Sequence, residues 1–308
     1  MFIVNAPIAR VNTQIAQRDF KYYIFDWDDN ILHMPTRIHM EKLSGDGKWI
    51  PLLVSTSVFS LIRNDTRNYR PPNGNWPAAF VEFQDYTTEN ENSFLRDTRL
   101  ALERVLSKKE PPAPSFQTFR HSLIEGRLFA IVTARGHASQ TLRKGVQMFI
   151  DNVLTSSEKE EMLANLRGYR QRFDKIEQFG TDEEELDYYL SLNHYCAVTS
   201  PHFSTQLACA ESDIISPEAR KQVAIRNFVE HIVRILTQRA PGFQQPVSVG
   251  FSDDDQANVA AVENYLRSEL ARHFPDIKFV VYDTSDPAME NGRKIVINSQ
   301  LDNTIQDC

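Results

Sequence analysis

Cysteine is scarce in this 308-residue sequence, and its placement argues against two kinds of covalent or metal staple. Cys196, Cys209 and Cys308 are odd in number and lack the paired spacing of zinc ligands. We therefore expect neither a disulfide framework nor a zinc site. A chain with so few cysteines is typical of a reducing compartment, which predicts a cytoplasmic location.

Long apolar runs are also missing from the sequence. No stretch approaches the roughly 18 consecutive apolar residues that a membrane-spanning helix needs. The first ten residues carry no charged segment ahead of their short apolar stretch, so a secretory signal is not expected. The sequence therefore predicts no membrane partner, and it indicates no oligomeric state.

An excess of basic charge is the third feature that the sequence lacks. It has 34 Lys and Arg residues against 41 Asp and Glu, which gives a net charge of −7. This balance provides no electrostatic reason to expect non-specific binding to nucleic acids or membranes. With 41% hydrophobic and 24% charged residues, the composition is typical of a globular protein that can bury a full core.

Five short apolar runs predict buried strands. They are Tyr22–Phe25, Leu128–Val132, Tyr195–Val198, Val247–Val249 and Phe279–Tyr282. Each is nearly continuous in hydrophobicity, as in strands that are covered on both faces. Helical spacing at Ala138–Leu154, Pro217–Leu236 and Gln256–Phe274 separates the last four runs, and Ser216 is placed to cap the second helix. This alternation predicts an α/β fold with a Rossmann-like parallel sheet and helices on both faces.

Two stretches interrupt the alternation of strands and helices. Met34–Gly126 separates the first two predicted strands and contains its own turn signals. Within it, Trp49–Leu53 and Ala79–Phe83 are predicted to be extended, and Thr88–Ser107 is predicted to be helical. Ser156–Leu192 is charged and helical in pattern. Its acidic run Asp182–Glu185 is interpreted as a solvated helix start, where the helix dipole favours acids, and not as a cation site.

Polar residues follow the predicted strands, at the edge where ligands bind in open parallel sheets. Asp26 and Asp28 follow the first strand, Thr133 ends the second, and an acidic cluster at Asp253–Asp255 follows the fourth. Lys221 lies near the start of the helix before that cluster. Two carboxylates as close as Asp26 and Asp28 repel each other unless a cation neutralises them. Taken singly, each of these residues also has an ordinary interpretation as a turn, a helix cap or a solvated side chain.

Together, FDWDDN, FAIVTAR, a lysine before the next-to-last strand and VGFSDDD resemble the four motifs of the haloacid dehalogenase (HAD) superfamily. The resemblance covers Tyr22–Leu32 and, with gaps, residues 128–283. It implies a discontinuous core of residues 15–33 and 127–308, with a helical excursion at about 156–192. Residues 34–126 then correspond to a mixed α/β cap that selects the substrate. Most members of the family are magnesium-dependent phosphatases.

The resemblance implies a catalytic role for four residues. Asp26 would be the nucleophile that forms an aspartyl-phosphate. Asp28 would protonate the leaving oxygen and then activate water as a base. Thr133 would donate a hydrogen bond to a phosphoryl oxygen, and Lys221 would offset the charge of nucleophile and phosphate. The expected substrate is a phosphorylated small molecule or a phosphoprotein.

The resemblance also implies a Mg²⁺ site. Its ligands would be Asp26, the main-chain carbonyl of Asp28 and Asp253, with Asp254 as a further ligand or beside the ion. Such hard oxygen ligands are those that Mg²⁺ prefers.

Several points stay open at the level of sequence. Asp29 and Asn30 stand where the family usually has glycine and threonine, Arg220 is an alternative to Lys221, and the metal ligand among Asp253, Asp254 and Asp255 is a choice of register. The competing function is a HAD-fold binding or assembly protein with little or no turnover.

Overall fold

The computed structural model describes residues 20–85, 92–174, 180–208, 216–239, 246–286, 289 and 292–297. Its strands are β1 (Phe20–Phe25), β2 (Ile38–Leu43), β3 (Trp49–Val54), β4 (Tyr69–Arg70), β5 (Phe129–Thr133), β6 (His194–Ala197), β7 (Val247–Asp253), β8 (Ile277–Asp283) and β9 (Arg293–Ile297). Its longer helices are α1 (Thr56–Ile62), α2 (Ser93–Leu106), α3 (Phe116–Ile124), α4 (Ser139–Val153), α5 (Ser156–Tyr169), α6 (Asp182–Ser191), α7 (Pro201–Ala208), α8 (Pro217–Arg239) and α9 (Gln256–Tyr265). The expected core residues 15–19, helix residues 88–91, Cys209 and Cys308 lie outside the described residues.

The main sheet has six strands in the order β6-β5-β1-β7-β8-β9. All neighbours pair in parallel except β9, which runs antiparallel to β8. The five predicted strands are confirmed, and they form β1, β5, β6, β7 and β8. Phe25 pairs with Ile131 on β5 and with Ser252 on β7, so the carboxyl ends of these three strands meet at one edge. The α/β, Rossmann-like arrangement is therefore confirmed.

Helices cover both faces of the main sheet because successive strand residues point to opposite sides. Phe25, Phe129 and Ile131 belong to one buried cluster, which α2, α3, α4, α5 and α6 cover. Ile24 and Ala130 belong to the other, which α8 and α9 cover. The three predicted helices correspond to α4, α8 and α9. The Ser216 hydroxyl caps α8 by accepting from the N–H of Ala219, 3.3 Å away.

A second, small sheet in the order β3-β2-β4 follows β1 in the chain. Its own core includes Ile38, Met40, Val54, Ala79 and Phe83. The expectation that 79–83 is extended is wrong, since helical turns occupy 76–79 and 81–83. Ala79 and Phe83, one in each turn, are both buried in this core.

The second half of the long insertion packs on the main sheet. Phe94 of α2 and Phe119 of α3 are fully buried in the same cluster as Phe129. The predicted excursion at 156–192 likewise packs there through Met162 of α5 and Tyr189 of α6. The small sheet and the helical turns that follow it, up to residue 83, are therefore the part of the insertion with a core of its own.

The acidic run at the start of α6 has two environments. Thr181 and Glu184 form a capping box, in which each side chain bonds the other's backbone N–H. Glu185 instead is buried and pairs with the buried Arg170 at 2.8 Å. The interpretation as a solvated helix start therefore fails at Glu185, because a long-range ion pair stabilises its buried charge.

No helix in the described parts of the chain is both long enough and apolar enough to cross a lipid bilayer.

Candidate functional site

Asp26, Lys221 and Asp253 form a buried ion cluster at the carboxyl edge of the main sheet. Asp26 follows β1 directly, and Asp253 is the last residue of β7. Lys221 reaches them from the first turns of α8, and its Nζ donates to Asp26 Oδ1 at 3.0 Å and to Asp253 Oδ2 at 2.6 Å. All three residues are buried. Arg220, the alternative to Lys221, instead donates to the hydroxyl of Ser204.

Acidic charge exceeds basic charge in this cluster. Carboxylate oxygens of Asp26, Asp253 and Asp254 all lie within 4.8 Å of one another, with Lys221 as the cation that contacts two of them. Burial raises the pKa of Asp26 to about 8, with Asp253 and Asp28 adding to the shift while Lys221 opposes it. Burial, together with Asp253, Asp26 and Asp29, also raises the pKa of Asp254 well above its usual range.

These carboxylates fit a divalent cation. Three hard oxygen donors within 4.8 Å of one another are a donor set that suits Mg²⁺. A cation there would offset the repulsion among these carboxylates, which adds to the effect of burial on the pKa of Asp26 and Asp254. Asp255 has a different task, because its carboxylate caps α9 by accepting from the N–H groups of Ala257 and Asn258.

The carboxylate of Asp28 is bound by Arg135, for which the sequence analysis predicts no role. Arg135 donates from Nε to Asp28 Oδ2 at 2.7 Å and from a terminal nitrogen to Oδ1 at 2.6 Å. Its side chain is about 1% exposed, and its guanidinium lies 4.7 Å from the ring centre of Phe83 and 5.2 Å from that of Phe94. A two-point pair of this kind fixes the orientation of the carboxylate.

The same guanidinium starts a chain of buried hydrogen bonds away from the sheet edge. Arg135 donates to the hydroxyl of Thr36 at 2.7 Å, and Thr36 donates to Asp97 Oδ2 at 2.7 Å. Thr36 precedes β2, and Asp97 lies on α2. The orientation of Asp28 is therefore tied to the small sheet and to α2.

Thr133 lies where the sequence predicted, at the end of β5 and fully buried. Its hydroxyl is 3.5 Å from Asp28 Oδ2 and accepts weakly from the N–H of Arg135 at 3.4 Å. The hydroxyl thus faces the pair of Asp28 and Arg135.

Asn30 takes a structural role at the site. Its side-chain amide donates to the carbonyl of Asp26 and to both oxygens of Ser252, at 2.9–3.1 Å. Its side-chain oxygen accepts from the hydroxyls of Ser115 and Thr284. Asn30 therefore locks the loop after β1 against β7 and against the segments before α3 and after β8.

Asp29 supplies the unusual backbone that the tight loop needs. It has φ of 52°, in the left-handed region that aspartate tolerates better than most side chains. Its carboxylate accepts from the hydroxyl of Thr56 at 2.7 Å and pairs with His33 Nδ1 at 3.1 Å. The hydrogen bond that His33 donates to Asp29 raises the pKa of His33, against the opposing effect of burial.

His137, four residues after Thr133, is fully buried. Burial, with the nearby charge of Arg135, lowers its pKa to about 3. His137 is therefore neutral near pH 7 and is unsuited to carry a proton in a reaction at that pH.

The fold and the site give different amounts of information about function. A Rossmann-like sheet hosts many unrelated activities, so it does not by itself identify one. Function has to be argued from the residues at the sheet edge. The chain matches no protein-family model, no curated protein and no solved structure.

Proposed function

We propose that the protein is a HAD-type, Mg²⁺-dependent phosphomonoesterase that acts through an aspartyl-phosphate. The observation that carries the proposal is the buried cluster of Asp26, Asp253 and Asp254 around Lys221 at the carboxyl edge of the sheet. Such a cluster combines a carboxylate nucleophile, a fixed cation and surplus acids for a divalent ion. Phosphoryl transfer needs little beyond this positioning and charge.

Asp26 would act as the nucleophile. One of its oxygens attacks phosphorus in line, a P–O bond to the carboxylate forms, and the P–O bond to the leaving oxygen breaks. Lys221, whose Nζ donates to Asp26 Oδ1, would offset the negative charge of the carboxylate and the phosphate. Asp26, Asp253 and Asp254 would hold Mg²⁺, which when bound neutralises charge on the phosphoryl oxygens. The main-chain oxygen of Asp28, the further expected ligand, accepts from the N–H of Asn30 at 2.6 Å.

Asp28 would serve in the second half of the reaction. The carboxylate of Asp28, which Arg135 holds in place, would accept a proton from water, which then attacks the phosphoenzyme and releases inorganic phosphate. The acid role in the first half instead requires that Asp28 take up a proton while paired. An aryl phosphate, whose phenolate leaves without a proton, avoids this requirement. Thr133 would donate to a phosphoryl oxygen.

The small sheet would act as the cap in this proposal. It follows β1 in the chain, and its preceding segment contributes Thr36 to the hydrogen-bond chain from Asp28. The substrate-selecting surface would then lie between the small sheet and the loop that holds Asp29.

A binding protein without turnover is the second candidate. The two-point pair between Arg135 and Asp28 favours it, because the pair occupies the carboxylate that hydrolysis needs. Such a protein would bind a cation at Asp26 and Asp254 and release it unchanged.

The test is hydrolysis of an aryl phosphate with Mg²⁺ or EDTA, for the wild type, Asp26→Asn and Asp187→Asn. Asp187 is an exposed acid paired with Arg143 on the surface, so its substitution is the matched control. The phosphatase predicts metal-dependent turnover in the wild type and control, and none in Asp26→Asn. Calorimetric Mg²⁺ binding without turnover on a panel of phosphate esters would favour the binding protein. Neither binding nor turnover would contradict both.

A further inference from the structure

A recess of about 300 Å³ lies beside the loop that follows β1. Its walls include Asp29 and His33 from that loop, Arg37 and Ser55 from the start of β2 and the end of β3, and Arg104 and Glu110 from the end of α2 and the segment after it. The recess therefore lies where the small sheet, α2 and the main-sheet loop meet.

Two arginine side chains in this recess have no partner in the described parts of the chain. Arg37 and Arg104 are both exposed, and neither guanidinium forms an ion pair or a hydrogen bond with a described residue. Arg70, by contrast, is paired with Glu41 and stacks on Trp49. A planar guanidinium binds carboxylates and phosphates through two parallel hydrogen bonds, so two free ones in one recess favour an anionic group.

The acidic residues of the recess do not cancel this preference. Asp29 already accepts from Thr56 and pairs with His33. Oε2 of Glu110 is buried and lacks a hydrogen-bond partner among the described residues. A buried acceptor of this kind needs a donor, which a ligand hydroxyl or amino group would provide.

Asp29 joins the recess to the ion cluster. It lines the recess and is one residue from Asp28 in the chain. Asn30, the residue after Asp29, donates to the main-chain carbonyl of Asp26 at 3.1 Å, so the loop that lines the recess folds back on the ion cluster. A small molecule with one end at Asp26 would thus present its other end to the recess.

We propose that the recess binds a second anionic group of a small phosphorylated metabolite, through Arg37 and Arg104. This inference rests on the proposed function, because it places the phosphate that is hydrolysed at Asp26. The second group is a carboxylate or another phosphate, and Glu110 accepts from a hydroxyl or amino group between the two. A volume of about 300 Å³ is at the lower end for small-molecule pockets, which favours a metabolite over a protein segment.

The experiment compares the binding of matched ligands to the Asp26→Asn variant in Mg²⁺ by calorimetry. Glycerol 3-phosphate against 3-phosphoglycerate tests a second carboxylate, and fructose 6-phosphate against fructose 1,6-bisphosphate tests a second phosphate. We expect the ligand with the second anion to bind about tenfold more tightly in at least one pair, as one charge-assisted contact allows. Arg37→Gln and Arg104→Gln should each reduce the ratio, and the double variant should abolish it.

Arg67→Gln is the control, because Arg67 is an exposed arginine of the same lobe outside the recess. It should leave the ratio unchanged. The same titrations on the wild type in EDTA, where metal-dependent turnover stops, guard against a folding defect of Asp26→Asn, and melting curves check every variant.

The outcomes separate the inference from the proposed function. A ratio near one in both pairs, with aryl phosphate still hydrolysed, overturns the recess and leaves the phosphatase. A preference that needs both arginines, in a protein without turnover, supports the recess and overturns the phosphatase. Tightest binding by a phosphoserine peptide, with the same dependence on Arg37 and Arg104, would replace the metabolite with a phosphoprotein and overturn the inference.

Discussion

Asp26 and Asp28 are two residues apart, yet their charges are balanced in different ways. Asp26 shares one cation, Lys221, with Asp253, and Asp254 adds a further acid nearby. Asp28 forms a two-point pair with Arg135, whose guanidinium lies against the rings of Phe83 and Phe94. The first half of the site has surplus negative charge that a cation can neutralise. In the second half, Arg135 already balances the charge of Asp28, so this half of the site keeps the Asp28 carboxylate in a fixed orientation.

The largest expected effect comes from removing the shared cation. Lys221→Met leaves buried carboxylates without a partner, and removal of one partner from a buried ion pair costs about 4 kcal/mol. Mg²⁺ should restore part of this loss by taking over the charge. Urea unfolding with Mg²⁺ and with EDTA measures both. Arg220→Met, the neighbouring position on α8, is the control and should show no Mg²⁺ rescue.

The proposed contrast between the Asp26 half and the Asp28 half of the site is contradicted if Lys221→Met is as stable in EDTA as Arg220→Met. It is also wrong if Mg²⁺ leaves the stability of Lys221→Met unchanged.

The second-largest expected effect comes from breaking the pair between Arg135 and Asp28. Arg135→Gln should cost about 3 kcal/mol in the free energy of unfolding, because the buried carboxylate of Asp28 loses its ion-pair partner. Here Mg²⁺ should give no specific rescue beyond its effect on the wild type. A double-mutant cycle with Asp28→Asn isolates the pair, and the double variant should recover part of the loss. Additive losses in the two single variants would show that the pair is not coupled.

The sequence predicted one half of the site better than the other. Asp26, Thr133 and Asp253 could be placed at the sheet edge because each follows a recognisable apolar strand, and parallel strands end together. Lys221 followed from the resemblance. These predictions depend on local pattern, which a single sequence carries.

The second half depends on pairings that no local pattern shows. Arg135 is 107 residues from Asp28 along the chain, and Asn30 bonds Thr284 across 254 residues. Arg135 is the last residue of the motif FAIVTAR and follows the predicted strand directly. That position at the sheet edge was the signal for it. Nothing in the sequence around Thr36 indicated that this side chain would meet that guanidinium.

The fold shows the same division. The continuous apolar runs of the main sheet have one plausible structure, since they are too short for buried helices and are separated by helical patterns. The segment 79–83 is apolar except for Glu82, and its spacing fits a strand and a helical turn alike. The pairing of β2 with β3 and β4 left those residues to cover the sheet as helical turns.

The third effect is a dependence of stability on pH that comes from His137, which is close to Arg135. The pKa of His137 is lowered to about 3, so the unfolded chain binds a proton near pH 6.5 that the folded protein excludes until about pH 3. Stability from this residue is therefore present above pH 6.5 and is lost as the pH falls towards 3. Between pH 7 and pH 5 the loss should be about 2 kcal/mol.

Urea unfolding of the wild type and His137→Phe at the two pH values measures this loss. The variant should show a smaller difference between pH 7 and pH 5. His273→Gln, which replaces an exposed histidine, should keep the dependence of the wild type. An equal dependence in the wild type and His137→Phe would assign the loss to other groups.

The smallest effect separates two adjacent acids, and it is the sharpest test of surplus charge in the Asp26 half. Asp254 belongs to the group of carboxylates around Lys221, whereas Asp255 caps α9. Asp254→Asn should weaken Mg²⁺ binding about tenfold, since one oxygen ligand of a hard cation loses its charge. Asp255→Asn keeps a side chain that can cap a helix, so it should leave both Mg²⁺ affinity and stability nearly unchanged. Calorimetric titration of the two variants measures the contrast. Equal affinities would place the cation away from Asp254, and a larger loss in Asp255→Asn would reverse the assignment of ligand and cap.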